Sequence, residues 1–198
     1  MIVGINGYGF IGYHLWVYLN YKCNDIEVIR LSKNLKDDLD NLSKCNVIIH
    51  MAEKNRGYPS QLYKDNKKSA LHLTKMLDKV GNKPTIIYTS STHENDDDLY
   101  GKWRRENNKM FSNWTKDFKS IKLPNIFGPF CKPNYNSFIS TFSSQLINGI
   151  SPQIIQDNNV DLIYISDLIL QILNIIDLRT DNEQFIFKNT SNYKVSTI

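Results

Sequence analysis

No run in this sequence approaches the ~18 consecutive apolar residues of a membrane-spanning helix, and no signal-peptide pattern opens it. Cysteine is scarce: Cys23, Cys45 and Cys131 make an odd number without metal-ligand spacing, which argues against a disulfide framework and makes a reducing, cytoplasmic compartment the expectation. Charge of one sign is missing too, because 24 Lys and Arg against 20 Asp and Glu leave only +4, spread along the chain. That is no nucleic-acid footprint. The four histidines (His14, His50, His72, His93) lie far apart, so no metal site is expected. There is no internal repeat. With 41% hydrophobic content over 198 residues, the chain can bury one core, and a single domain over residues 1–198 is expected.

What is present begins with a short apolar strand, residues 1–5, that runs into Asn6, Gly7, Tyr8, Gly9, Phe10, Ile11 and Gly12, and then an apolar helix through Leu19. The glycines fall in GxGxxG spacing. In such a loop they give a tight turn, let the backbone approach a pyrophosphate and pack helix closely on strand, with the phosphates at the positive helix N-terminus. An incidental glycine-rich turn is the alternative. A second strand, residues 26–31, ends in Arg30, Leu31, Ser32 and Lys33, where the adenosine ribose of such a site lies. A carboxylate there would select NAD(H) by accepting from the 2′-hydroxyl. Cationic and hydroxyl groups suit a 2′-phosphate instead, so NADP(H) is favoured over NAD(H), with Glu27 and ordinary surface charge as counter-readings.

Residues 37–43 read as a short polar helix, and residues 46–51 as a third strand, apolar throughout as in a parallel strand covered on both faces, closing on His50, Met51 and Ala52. A helix over 60–80 follows, with Leu62, Tyr63, Ala70, Leu73, Met76, Leu77 and Val80 at helical spacing and Gly81 as its stop. This alternation predicts a Rossmann-type α/β fold, a doubly wound parallel sheet with helices on both faces. Another helix is expected over 98–118, with Leu99, Trp103, Met110, Phe111, Trp114 and Phe118 on its buried side. With the 60–80 helix it could form a homodimer seam, although core packing explains the same stripe.

The chemistry concentrates in residues 89–104. A fourth strand delivers Ser91 to the carboxyl edge of the sheet, where such folds bind ligands, and Tyr100 opens the next helix. Arg104 lies one helical turn on, on the same face. A phenol has an unperturbed pKa of about 10, and a cation four residues on stabilises its phenolate. The serine hydroxyl can hold the carbonyl oxygen being reduced. The plain alternative is a polar loop and a helix whose tyrosine is half-buried and whose arginine is solvated. The acidic run 95–98 reads as a solvated loop that supplies the helix N-cap.

Together, GYGFIG at the N-terminus, VIIHMA at the third strand, NRG at 55–57, Ser91 with Tyr100, LPNIFGPFCKPNYNS at 123–137 and DLIYISDL at 161–168 resemble the extended short-chain dehydrogenase/reductases, the NAD-dependent epimerase/dehydratase family acting on nucleotide sugars. Within it the chain looks most like capsular-polysaccharide 4-keto reductases of UDP-2-acetamido-2,6-dideoxy-hexuloses. The resemblance implies catalytic roles for Ser91, Tyr100 and Arg104. It implies cofactor contacts from Gly7, Gly9, Phe10, Ile11, Gly12, Arg30, Ser32, Lys33, Met51, Ala52, Tyr100, Arg104 and Pro124. Substrate contacts are implied for Asn55, Arg56, Ser91, Thr92, Asn125, Lys132, Asn134 and Tyr135, on a UDP-activated deoxy-amino sugar. A small or incomplete substrate lobe, about 125–198, is expected.

Three departures stand against this pattern. Arg104 occupies the family's lysine position; it keeps the charge and could bond the ribose hydroxyls, but is bulkier and cannot lose a proton. Lys102, two residues after the tyrosine, is on the wrong side of the helix. The glycine loop is one residue tighter than the family's GxxGxxG, and the resemblance implies a further cupin-like epimerase domain that is not expected within these 198 residues. These leave two further readings: a catalytically impaired NAD(P)-binding protein that regulates or scaffolds a sugar-pathway partner, and an epimerase or dehydratase that retains its NAD.

Overall fold

The structure, a computed structural model, describes residues 1–176, 183–187 and 191–198; residues 177–182 and 188–190, within the segment assigned to the substrate lobe, lie outside the described residues. The chain runs β1 (Ile2–Asn6), α1 (Phe10–Lys22), β2 (Glu27–Leu31), α2 (Leu39–Lys44), β3 (Val47–His50), α3 (Pro59–Val80), β4 (Thr85–Ser91) and α4 (Leu99–Trp114). It continues through β5 (Phe118–Leu123), β6 (Asn125–Phe127), α5 (Phe138–Ile147), β7 (Asn159–Tyr164), α6 (Ile165–Ile176), β8 (Glu183–Ile186) and β9 (Ser191–Lys194).

Six strands form one sheet in the order β2-β1-β3-β4-β5-β8, every neighbouring pair parallel. The order reverses between β1 and β3, which makes that gap the switch point of a doubly wound sheet. All four residues of β3 are buried, as a strand covered on both faces requires. Alternate side chains then divide into two layers. Val3, Ile5, Ile49 and Ile87 pack with Leu15 and Leu19 of α1 and Ile169 and Ile172 of α6. Ile48, Ile86 and Tyr88 pack on the other side with Leu73 and Leu77 of α3 and Phe111 of α4. The Rossmann-type expectation is met.

One boundary differs from the sequence reading. The helix predicted over 98–118 stops at Trp114, where Thr115 turns extended and its hydroxyl accepts from the Asp117 amide at 3.2 Å. Phe118 therefore opens β5, opposite Ile86, rather than extending the helix face. Leu99 is on the outside, at 37% exposure. Trp103 and Phe111 are spent on this chain's own core, and Phe111 stacks on Phe118 with ring centroids 6.0 Å apart. Between α3 and α4, Glu106 accepts from Tyr63 at 2.8 Å and pairs with Lys67, and Trp114 donates to the Asp78 carboxylate at 3.0 Å.

A smaller sheet, β6-β7-β9, has β7 parallel to β6 and antiparallel to β9. It carries the segment expected to form the substrate lobe. No helix among the described residues is long and apolar enough to cross a membrane. Nor do the described residues hold a His, Cys, Asp and Glu cluster suited to a metal ion.

His50, at the end of β3, is fully buried between Tyr88 and Phe111, with ring centroids 6.0 and 5.4 Å away. Neither ring nitrogen has a hydrogen-bond partner among the described residues. Burial pushes its pKa from 6.5 down to about 4. The folded protein keeps this ring neutral while the unfolded chain protonates it, so the stability is complete above pH 6.5 and is lost as pH falls towards 4. We predict a loss of ~3 kcal/mol across that window, read as a falling urea midpoint, and a flatter profile in His50→Phe. An unchanged profile in that variant would contradict it.

Candidate active site

The glycine loop is fixed by contact. Gly7 has φ 111°, and a Cβ there would lie 2.4 Å from the Met51 carbonyl carbon and 2.5 Å from the Ala52 nitrogen. A Cβ at Gly12 would lie 2.2 Å from the Gly7 oxygen. The Met51 amide donates to Asn6 at 2.6 Å, and Ser69 donates to the Ala52 carbonyl at 2.8 Å, so the ends of β1 and β3 are joined around this loop. Gly9 differs: a Cβ there would meet no atom within 4 Å. The first turn of α1 has no acidic residue, and the amides of Phe10, Ile11 and Gly12 precede the first intrahelical bond, from Tyr13 to Gly9. Free donors and the positive end of a helix dipole therefore face the same opening, which suits a phosphate.

Arg30 pairs in register with Ile5 on the neighbouring strand, and its guanidinium lies 3.8 Å above the ring of Tyr8 inside the loop. Ser32 is committed elsewhere, its amide bonded to the Asp38 carboxylate and its hydroxyl donating to Asn34 at 2.6 Å. Lys33 is exposed. Of the three residues expected at the 2′-position, Arg30 is the one with a ring contact to the loop.

Ser91 ends β4 and is buried; its hydroxyl oxygen accepts from the His93 amide at 3.2 Å, leaving its proton available. Asp98 caps α4 by accepting from the Gly101 amide at 2.7 Å, as the acidic run predicted, and Tyr100 is half-buried in the first turn. The short connection between Ser91 and Tyr100 is held by Glu94, a carboxylate 4% exposed that accepts from Ser90 at 2.5 Å and Asn108 at 2.7 Å and pairs with Lys122 at 2.7 Å. Arg105 donates to the backbone oxygens of Glu94 and Asp96 at 2.6 and 2.9 Å. Residues 95–98 are exposed, as expected of a solvated run, and Glu94 and Arg105 brace them from beneath.

Arg104 is not solvated either. It is 5% exposed, donates to the Thr89 carbonyl at 3.0 Å, pairs with Glu53 at 2.7 Å and lies 4.5 Å beneath the ring of Tyr100. Burial opposes its charge, but Glu53, then Tyr88 and Tyr100, outweigh burial and raise its pKa. Tyr88 donates to the other carboxylate oxygen of Glu53 at 2.5 Å, and burial followed by the Glu53 charge raises the Tyr88 pKa well above the ordinary phenol value. Removing one partner of such a buried pair typically costs ~3–5 kcal/mol, because the other charge is stranded.

On the substrate side, Arg56 lies 5.7 Å over the ring of Tyr135, so the loop after β3 and the loop after β6 meet. His14 Nε2 bonds the Pro129 carbonyl at 3.0 Å, and Phe130 packs on His14 and Tyr13, tying the second loop to α1. Asn134, at φ 54°, receives Thr141 as acceptor for its amide at 2.9 Å. Pro124 is buried; Asn55, Thr92, Asn125 and Lys132 are exposed. A separate cavity of about 530 Å³ lies against α5, lined by Phe127, Gly128, Ser143, Ser144, Ile147 and Tyr164 among others. Gly128, Pro129 and Pro133 of the 123–137 segment border it, whereas Ser91, Tyr100 and the glycine loop do not.

Sequence reasoning missed Glu53 and Glu94. Each partners residues distant in sequence, and periodicity carries no signal for that. Gly101 offered a local clue: a Cβ there would lie 2.3 Å from the Asp96 oxygen and 2.9 Å from that of Glu94. Gly101→Ala is predicted to destabilise the protein by ~1–3 kcal/mol in urea unfolding by pushing α4 off this connection. An unchanged midpoint would contradict this packing.

No family model matches the chain. The UDP-2-acetamido-2,6-beta-L-arabino-hexul-4-ose reductase of Pseudomonas aeruginosa is 27% identical over 192 residues, covering 92% of this chain and 50% of that protein. The chain thus spans about half the length of that curated relative. The capsular polysaccharide assembling protein CapF from Staphylococcus aureus superposes with a TM-score of 0.76 at 25% identity over 98% of this chain and 54% of CapF. RMD from Pseudomonas aeruginosa, solved with NADPH, gives 0.84 at 16% identity over 99% of this chain and 80% of RMD, a likeness of fold. Sheet order, glycine loop and these similarities together relate the chain to the extended short-chain dehydrogenase/reductases of the nucleotide-sugar epimerase/dehydratase type.

Proposed function

We propose that this chain binds NADPH at the carboxyl edge of its sheet and reduces the C4 ketone of a UDP-2-acetamido-2,6-dideoxy-hexulose. The observation that carries the reading is the placement of the glycine loop at the β1/β3 switch point, with Ser91 and Tyr100 supplied by the next strand and helix of the same sheet. Similarity over 92% of the chain to a reductase of that sugar class supports it.

In this reading the amides of Phe10, Ile11 and Gly12 hold the pyrophosphate, with Gly7 and Gly9 giving it room. Met51, Ala52 and Pro124 flank the nicotinamide end, and Arg30, with Lys33, meets the 2′-phosphate. The bound nicotinamide supplies the hydride. Ser91 donates its free proton in a hydrogen bond to the ketone oxygen, and Tyr100 gives that oxygen the proton that completes the alcohol. Asn55, Arg56, Thr92, Asn125, Lys132, Asn134 and Tyr135 frame the sugar nucleotide, the stacked Arg56 and Tyr135 closing one side. A cytoplasmic homodimer across the outer faces of α3 and α4 belongs to the same reading. With the aromatic stripe buried inside the chain, that seam is polar.

A second reading, an NAD(P)-binding protein without turnover, is favoured by one observation: the guanidinium of Arg104 is turned into the core.

The test is titration with NADPH and NADH by nicotinamide fluorescence, followed by mixing with the UDP-4-keto-6-deoxy-N-acetylhexosamine at 340 nm. NADPH is expected to bind ~tenfold or more tightly than NADH, with Arg30→Ala narrowing the gap. Tyr100→Phe is expected to abolish turnover and leave binding intact. Binding without turnover in the parent selects the second reading. Gly9→Ala separates site from scaffold: its folding stability stays within ~0.5 kcal/mol of the parent while NADPH affinity drops ~tenfold or more. Unchanged affinity would remove the loop from the site.

A further inference from the structure

The cation four residues after Tyr100 is committed before any ligand arrives. One terminal nitrogen of Arg104 donates to the Thr89 carbonyl at 3.0 Å, and the other pairs with Glu53 at 2.7 Å. Both side chains of the pair are nearly sealed, at 7% and 5% exposure. Glu53 is itself anchored twice more: Tyr88 donates to its second oxygen at 2.5 Å, and its own amide bonds the Met51 carbonyl at 2.9 Å. That backbone bond matters because the Met51 carbonyl belongs to the wall against which Gly7 packs. Glu53 thus touches both halves of the site, the wall of the glycine loop and, through Arg104, the underside of the Tyr100 ring.

We propose that Glu53 is a positioning residue: it locks Arg104 beneath Tyr100 as a buried, mutually neutralised pair and withholds that guanidinium from the cofactor. The Tyr100 ring then rests on a cation whose two terminal nitrogens are engaged from below, and its posture follows from Glu53 rather than from the ligand. The function of this arrangement rests on reading Tyr100 as the proton donor; the lock itself does not. A consequence is that replacing Arg104 by lysine alone does not free a cation for the ligand side, because Glu53 captures either one.

Two arms test this on the full chain. In the first, an arginine-selective dicarbonyl reagent is applied with and without NADPH, and labelling is mapped by peptide mass. Arg104 is expected to stay unlabelled in the parent in both conditions, while exposed Arg56 reacts. In Glu53→Ala/Tyr88→Phe, which leaves no orphaned hydroxyl, Arg104 is expected to label at a rate approaching that of Arg56. Labelling of Arg104 in the parent that NADPH suppresses would overturn the proposal, as would an Arg104 that stays unreactive in the variant, provided its melting curve shows it folded. Should the variant not fold, Glu53→Gln takes its place, with the same two readings at lower amplitude.

The second arm uses turnover. The variant is expected to lose ~tenfold or more in kcat, with the KM for NADPH no higher than the parent's, because a donor out of position slows chemistry without weakening binding. A proportional loss of both, tracking the folded fraction, would reduce Glu53 to a structural role and overturn the proposal. A parent that never turns over defeats the functional reading, not the lock, which the labelling arm decides by itself.

Discussion

Gly7 packs directly on the backbone of Met51 and Ala52, and much of the molecule's arrangement follows from that approach. Because no side chain fits between them, β1 and β3 can lie side by side to their ends and part only at the loop. The turn then leads into α1 with Gly12 seated on the Gly7 carbonyl, so helix and strand are locked at close range. The open side of the same loop is left to Gly9 and the first-turn amides of α1. Close packing on one side and free donors on the other make this edge suited to a phosphate ligand.

A second constraint is electrostatic. Two carboxylates, Glu53 and Glu94, are carried below the surface behind Ser91 and Tyr100, and each is met by a cation and by neutral donors. Burial of such charges is tolerable only when every partner is in place, which makes these networks rigid. Glu94 sets the length and shape of the connection between the serine and the tyrosine. Glu53 sets the floor under the tyrosine. The side chains at the surface of the site are therefore held by charges a ligand does not touch.

Much of this was legible in the amino-acid order. The glycine spacing, the uniformly apolar VIIH strand and the Gly81 stop each announce their element because the physics is local: a tight turn, two-sided burial, a left-handed cap with φ 70°. The end of α4 was not legible, since Phe118 continues the helical spacing of Trp114 and Phe111 and only the Thr115 and Asp117 turn breaks it. Arg104 was legible as a cation beside Tyr100, but its burial was not, because its direction is decided by Glu53, distant in sequence and ordinary in appearance. Lys33 and Ser32 looked equivalent to Arg30 on the strand end, yet only the Arg30 guanidinium has a stacking contact in the loop.

In the proposed reading the β1/β3 edge, and not the cavity beside α5, is the dinucleotide site. Amide chemical-shift mapping of the isotope-labelled chain with NADPH tests it directly. The largest changes are expected at Gly7, Gly9, Phe10, Ile11, Gly12 and Ala52, with a secondary response at Tyr100. Changes confined to Gly128, Ser143, Ser144 and Asn148, with the glycine loop silent, would contradict it.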